Sequence, residues 1–387
     1  MSQAKITTEQ LIEERMSGLT LREIAEKYGM HIRTVEARHA KLAKEGHFHG
    51  NEHVAKNVPE GFMVKGTSTM IRGDGTEVVR WVKTDQDREK IAAMMEAARI
   101  AFCEDLPRAK PTELLTSQGL TTAMGKLALY PVFDLHIGAL AHKHECGENY
   151  STDVAEKVLS DFFNYAIDIA PNAEKAVLLI GGDFLHSDGL DAVTPASGHV
   201  LDQDSRYAKL VHVAIRSVRR AIDKMLMKHK EVEVQVVEGN HDQSGMIWLR
   251  AAMAAYYEDE PRVFVDVSPM VLHKTRWGNT LLGYTHGHTM KKAETRLAAM
   301  AADFRADFGE SKYVYTHSGH WHHQTITEHS LGIDEVHGQL GAKDAYAARG
   351  GWRSYRQAAV IVYDKQFGEI GRFIYRPEMT PKHLHSA

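Results

Sequence analysis

Cysteine is nearly absent: the 387 residues contain only Cys103 and Cys146. So sparse a pair builds no disulfide framework, and the reading is two reduced thiols, with Cys146 in a loop. No apolar run approaches the roughly 20 residues of a membrane helix, so no membrane role is expected. Charge of one sign is lacking as well. The net charge of −4 gives no global electrostatic case for a polyanionic partner and favours a small-molecule substrate. Repeats and low-complexity tracts are missing. The opening Met-Ser-Gln-Ala-Lys runs straight into charged helical sequence with no apolar export core, so the expected location is cytoplasmic. What the chain has in quantity is histidine, 24 residues, many of them placed just after apolar runs. Neutral imidazole is the commonest metal ligand near neutral pH.

The length suits two or three domains. Residues 6–46 read as three helices. Thr7 or Thr8 caps the first, whose apolar face is Leu11, Ile12 and Met16. Thr20 caps the second, with Glu23 completing a capping box. The third turns Ile32, Val35 and Leu42 inward. Residues 47–60 read as a linker. A β-hairpin follows, turning at Arg72-Gly-Asp-Gly75, and then a helix over about 85–104. The domains expected are therefore 1–50, a connecting region 51–125 with the hairpin and helix, and a catalytic domain 126–387. From Leu127 strands and helices alternate, which predicts an α/β (α+β) core with a mixed sheet or paired sheets. Within it helices are expected over 151–169, 203–229, 245–257 and 290–303.

The run Leu127-Ala-Leu-Tyr-Pro-Val-Phe delivers Asp134 and His136 to the end of a strand. Side chains two apart on a strand share a face. Three later stretches also follow apolar runs: Gly181-Gly-Asp-Phe-Leu-His186, Gly239-Asn-His-Asp242, and Thr285-His-Gly-His288 with Gly319-His-Trp-His-His323. They supply Asp183, Asn240, His286, His320 and His322. One ion can take Asp134, His136 and a late histidine, a second Asn240 and two late histidines, with Asp183 bridging. Such mixed oxygen and nitrogen donors suit two divalent ions, Mn²⁺ first, with Fe or Zn also allowed. Paired ions lower the pKa of water bound between them, and the resulting hydroxide is suited to in-line attack on a phosphate. His241 is the best general acid, with Asp242 expected to orient its ring. Trp321, between two ligands, either packs or touches substrate.

In this order, the motifs DLH, GGD, GNHD, THGH and GHWH resemble those of the calcineurin-like metallophosphoesterases, over about residues 127–325. The resemblance implies a four-layer α-β-β-α sandwich. It places Asp134, His136, Asp183 and His322 on one metal, and Asp183, Asn240, His286 and His320 on the other, with His288 as the alternative to His286. His241 would be the phosphate-contacting acid. His186 stands where many members carry Asp. The stretch Gly-Asp-Phe-Leu-His is similar to the SbcD-like DNA exonucleases, in which this histidine handles the nucleic-acid phosphate. That likeness implies a DNA nuclease and suggests an ATPase partner; a homodimer is compatible with it. The loop Ser187–Ser205 resembles that of phage or prophage members, shaping the substrate entrance with Arg206 near phosphate. Residues 1–50 resemble a helix-turn-helix domain, with Arg38 where an apolar residue is usual. The alternatives are a nucleotide phosphodiesterase or phosphatase, or a DNA-binding regulator with a secondary phosphoesterase domain.

Overall fold

The computed structural model describes residues 6–44, 62–72, 77–86, 108–109, 124–195, 197–343, 345–351 and 353–380. The chain divides into two compact units, Met1–Ala98 and Arg99–Ala387.

In the first unit, α1 (Thr8–Met16), α2 (Leu21–Lys27) and α3 (Ile32–Lys44) close on a small core of Ile6, Leu11, Ile24, Ala25, Val35 and Leu42. Capping boxes start two of the helices. Thr7 pairs with Gln10, and Thr20 with Glu23, each side chain serving the other's backbone N–H. Met16, expected on the apolar face, lies half exposed at the last position of α1. Arg38 braces this unit. Its guanidinium donates to the carbonyl oxygen of Ile6 at 2.6 Å, fixing the chain entry against α3. The hairpin of β1 (Phe62–Ile71) and β2 (Glu77–Gln86) is antiparallel. β2 runs through Asp85, where a helix was expected to begin; the rest of that expected helix lies outside the described residues.

The second unit holds two sheets. The larger has the order β13-β12-β3-β4-β5-β6. Its strands are β3 (Lys126–Val132), β4 (Lys175–Ile180), β5 (Glu231–Val236), β6 (Val263–Val265), β12 (Ala358–Asp364) and β13 (Gly368–Tyr375). β3 to β6 pair in parallel, and the last two strands add an antiparallel edge. The smaller sheet has the order β10-β11-β9-β8-β7. It is built from β7 (His273–Trp277), β8 (Thr280–Tyr284), β9 (Tyr313–Ser318), β10 (Thr325–His329) and β11 (Gly332–Val336).

Residue parity sets the layers. On β3, Leu127 and Leu129 join Val177 and Leu179 of β4 in a core that also holds Leu282, Tyr284 and Tyr315 of the second sheet. Their neighbours Ala128, Tyr130, Leu178 and Ile180 point the other way, onto helices. Those helices are α4 (Thr152–Ile169), α5 (Tyr207–Leu226) and α6 (Gln243–Tyr256). α4 is capped by the Ser151 hydroxyl, which accepts from Val154 N at 3.3 Å. It buries Ala155, Val158, Leu159, Phe162 and Ala166, an i, i+3, i+4 stripe. Leu281 and Val314, on the outer face of the second sheet, pack on Leu297 and Met300 of α7 (Ala293–Asp303). The fold is thus α/β with two sheets face to face between helical layers. α5 is shorter than its expected 203–229, beginning after an extended Arg206 and ending at Leu226. Cys146 is buried at the end of a short helical turn, Lys143–Cys146, and not on an open loop. Among the described residues no helix is long and apolar enough to cross a membrane.

One buried ion pair ties α7 to the second sheet. Arg296 Nε and Nη2 donate to the two Asp334 oxygens at 2.7 and 2.6 Å, and both side chains are almost fully buried. Truncating one member strands the other's charge. Asp334→Ala is therefore expected to lower unfolding stability by about 3–5 kcal/mol, measured by urea denaturation. A loss below about 1 kcal/mol, the level of a surface pair, would show that water reaches the guanidinium.

Candidate metal centre

Parallel strands end side by side, so the loops following β3, β4 and β5 meet at one edge. Backbone bonds lock them together. His136 N donates to Asp183 O at 3.0 Å, Ile137 N to Phe184 O at 2.8 Å, and Gly181 N to Val132 O at 2.8 Å. The loops after β8 and β9 join them through Gly319 N, which donates to His286 O at 3.0 Å.

Three histidine-rich groups result, each with its ligand atoms within 4.8 Å of one another: Asp134, His136 and His322; Asp183, His286 and His320; and His136, His186 and His241. The first two contain six of the seven expected ligands. The seventh, Asn240, lines the same cavity as His136, Asp183 and His320, with its Oδ1 buried and unpartnered. His288 belongs to none of the groups; its ring centre lies 6.2 Å from that of His320.

Each aspartate spends one oxygen on the backbone and keeps the other for the cluster. Asp134 Oδ2 accepts His320 N–H at 3.0 Å, while Oδ1 has no hydrogen-bond partner and lies 3.4 Å from His322 Nε2 and 3.9 Å from His286 Nε2. Asp183 Oδ1 accepts His241 N–H at 2.8 Å, and Oδ2 stands 3.2 Å from His286 Nε2. The His286 ring is aimed by its other nitrogen, Nδ1, which donates to Gly181 O at 3.0 Å. Buried polar atoms are normally satisfied, so the orphaned Asp134 Oδ1, Asn240 Oδ1 and His286 Nε2 are what a cation-binding set leaves open.

Backbone conformation singles out the same residues. Among the described non-glycine residues, positive φ occurs only at Asp134, His136, Asp183, His320 and His322, between 49° and 72°. Every one is a candidate ligand. Left-handed backbone is costly for such side chains and persists only where the surroundings over-determine it. Two glycines make room. A Cβ at Gly239 would lie 2.1 Å from Asp183 Oδ1, and one at Gly182, where φ is +92°, would lie 2.6 Å from the His286 ring.

The electrostatics suit neutral imidazoles facing carboxylates. Burial pushes His136 well below the usual imidazole range, with His241 adding to it. Burial likewise takes His320 down to about 4, and burial with His241 takes His186 down to about 3. His322 and His286 are the exceptions: beside the Asp134 carboxylate His322 is raised despite burial, and so is His286. Burial would push His286 down, but the Asp183 and Asp134 carboxylates hold it up at about 10. A proton held there reports negative potential from the carboxylates, where a cation is favoured.

Asp242 does not orient His241. Its carboxylate accepts backbone N–H groups from Asp183, Phe184, Leu185 and Gly239, at 3.2, 2.7, 3.0 and 2.9 Å. It therefore clamps the turn that carries Asp183. The His241 ring is held instead by the carbonyl oxygen of His186, 2.8 Å from Nδ1. Nδ1 is then the donor, and Nε2 is left for chemistry. His186 is buried, with its ring stacked on His241 at 5.5 Å between centres. Arg206, expected near phosphate, sits at the N-terminus of α5 and does not line the cavity. Thr194, Ser197 and His199 of the 187–205 loop do line it, as do Lys343 and Arg353, which the motifs gave no reason to pick. The cavity measures about 950 Å³.

No family model and no curated protein matches the chain. Solved structures of low similarity include a conserved protein from Streptococcus pneumoniae described as a predicted phosphoesterase, at 12% identity over 66% of this chain and 99% of that one, TM-score 0.27. Another is a Zn²⁺ complex of Vps29 from Entamoeba histolytica, at 11% identity over 65% and 99%, TM-score 0.27. A third is an archaeal phosphodiesterase, at 11% identity over 65% and 99%, TM-score 0.29. Likeness at this level transfers no activity to the chain.

Two measurements test the centre without turnover. Mn²⁺ at about 100 times its Kd should raise unfolding stability by about 2.7 kcal/mol, and Asp183→Asn should cut that rise at least by half. An equal rise in the variant would place the ion elsewhere. Asp242→Asn puts an amide N–H₂ among backbone donors and should cost about 1–3 kcal/mol in EDTA, read by thermal melting.

Proposed function

We propose that this chain is a divalent-metal-dependent phosphodiester hydrolase acting on DNA. The observation that carries the reading is the convergence of Asp134, His136, Asp183, Asn240, His286, His320 and His322 on one sheet edge, with donor atoms left unpartnered there. Asp134, His136, Asp183 and His322 would hold one ion, and Asp183, Asn240, His286 and His320 the other. Such ions lower the pKa of a bound water and screen phosphate charge. Mn²⁺, Fe or Zn suits such mixed oxygen and nitrogen donors, and Mn²⁺ is the ion tested first.

The protein's own groups supply the rest. His241 lines the cavity and keeps Nδ1 on the His186 carbonyl, so as an imidazolium it gives its Nε2 proton to the departing alkoxide. His186, buried and close to His136 and His241, packs the acid's ring in place. Asp183 fixes the other side of that residue by accepting its backbone N–H. DNA as substrate is supported by His186 in its SbcD-like position and by the three-helix unit, where Arg33 and Lys41 are exposed on α3. We read that unit as the part that delivers the enzyme to DNA. A second reading, a nucleotide phosphodiesterase, is favoured by the net charge of −4.

His241→Ala should lower kcat about 10²- to 10⁴-fold on a phosphodiester with an alkoxide leaving group. The same variant should lose far less on bis(p-nitrophenyl) phosphate, whose leaving group needs no proton. Equal losses on both would remove His241 from the acid role. Absence of Mn²⁺-dependent turnover on every phosphodiester tried would remove the hydrolase reading.

A further inference from the structure

The third histidine group has no role so far. His136, His186 and His241 bring their ring nitrogens as close together as the two groups with aspartates do, yet no carboxylate belongs to the trio. Their hydrogen-bond partners fix which nitrogens carry protons.

His136 shows its two nitrogens to different neighbours. Nε2 lies 3.5 Å from His322 Nε2, in the group that holds Asp134, and Nδ1 lies 3.4 Å from His186 Nδ1. A nitrogen that takes a cation must offer its lone pair. A neutral imidazole carries one proton, so in a metal-binding His136 that proton sits on Nδ1, facing His186. His186 has the complementary form. The carbonyl oxygen of Asp202 accepts from its ring, and since Nδ1 is turned to His136 the donor is Nε2. A proton on Nε2 leaves His186 Nδ1 with a lone pair, which is the acceptor His136 needs. Followed from the carbonyl or from the ion group, the chain of bonds gives the same tautomers.

The His186 ring is hard to displace. The residue is 3% exposed, and its backbone N–H donates to Ile137 O at 3.0 Å, next to His136 in the chain. Its own carbonyl oxygen accepts His241 Nδ1–H at 2.8 Å, and its ring lies within 22° of the His241 plane. The His136 ring meets both edge-on, at 80° and 81°.

We propose that His186 is a positioning residue for the metal ligand His136: it accepts the His136 Nδ1 proton and so keeps Nε2 unprotonated and turned to the other ligands. This rests on the metal-centre reading and adds a residue to it beyond the seven ligands. It also gives the trio a proton where a third ion would otherwise be placed. Removing an outer hydrogen-bond partner of this kind typically costs about 10- to 100-fold in metal affinity.

Two substitutions separate the acceptor from the bulk of the ring. His186→Phe keeps a flat ring against His241 and has no acceptor. His186→Asn gives up the ring and offers an amide oxygen close to where Nδ1 stands. Calorimetric titration of the full chain with Mn²⁺ reads both affinity and the number of ions. His186→Phe should weaken one ion about 10- to 100-fold. His186→Asn should bring the affinity back to within about threefold of the unaltered protein. Nitrogen-15 histidine spectra of the metal-free, unaltered protein, assigned with the Asn variant, should show His136 protonated on Nδ1 and His186 on Nε2. Those spectra decide the assignment even where His186→Phe fails to fold. Unchanged Mn²⁺ affinity in a folded His186→Phe protein, or a His136 proton found on Nε2, overturns the positioning role and leaves the metal centre standing. Three ions in the unaltered protein against two in His186→Phe overturns it in favour of a third metal site. No Mn²⁺ binding by the unaltered protein overturns both the role and the centre.

Discussion

The site depends on strain held in place. Five side chains that point at the cluster are carried on left-handed backbone, a conformation none of them prefers. Strand geometry alone would send Asp134 and His136 to one face of a sheet, yet both lie past the last paired residue of β3, where the chain is free to turn. What prevents relaxation is a web of short contacts. Asp242 takes N–H groups from the Asp183 turn and the Gly239 turn together, and Gly239 gives the space in which Asp183 lies. Gly341 N–H closes the far side on the Asp134 carbonyl at 3.0 Å. The ordering cost is met during folding by the sheet sandwich, so that the donor atoms are already gathered before any ligand arrives.

Much of this was legible because metal chemistry constrains residue type strongly. A carboxylate, an amide and several imidazoles placed just after apolar runs mark strand ends that meet, and the structure does bring these side chains together; the choice of His286 over His288 and the division between two ions came from the family resemblance. The geometry between loops was not legible. Asp242 looked like a partner for His241 through adjacency, but successive side chains in a turn diverge, and its carboxylate reaches back to Asp183 and Gly239. Lys343 and Arg353 carried no motif and enter the cavity only through the path of the chain between β11 and β12.

The strands β7, β10 and β11 escaped the sequence for a related reason. β10 is exposed along almost all of its length, so Thr325-Ile-Thr-Glu-His has no buried face to pattern. In β11 the buried residues include Asp334 and Glu335, whose charges hide the strand, and both are satisfied only by remote partners. Arg296 takes the first and Arg372 the second. Strands carried by buried apolar runs were read well; elements whose burial is justified by distant ion pairs were not.

A fourth cluster shows how composition can mislead and how satisfaction decides. His317, Glu335 and His337 are as buried as the candidate ligands and as close together. Their donors are spent, however. His317 uses Nδ1 on His337 Nε2 at 2.9 Å and Nε2 on the Tyr363 hydroxyl at 3.0 Å. Glu335 receives both arms of Arg372, at 2.6 and 2.9 Å. The adjacent His337 ring and then the Arg372 pairing lower Glu335 to about 2 against the effect of burial, and Arg372 would set a fixed cation beside any metal. The His337 ring stacks on Phe133 at 4.9 Å, the residue before Asp134. This trio is therefore a polar brace between the sheets, and its contact with Phe133 steadies the turn that presents Asp134. Imidazoles and carboxylates hold a proton network in one place and leave orphaned atoms in the other, and only the orphaned set can gain by taking up a cation.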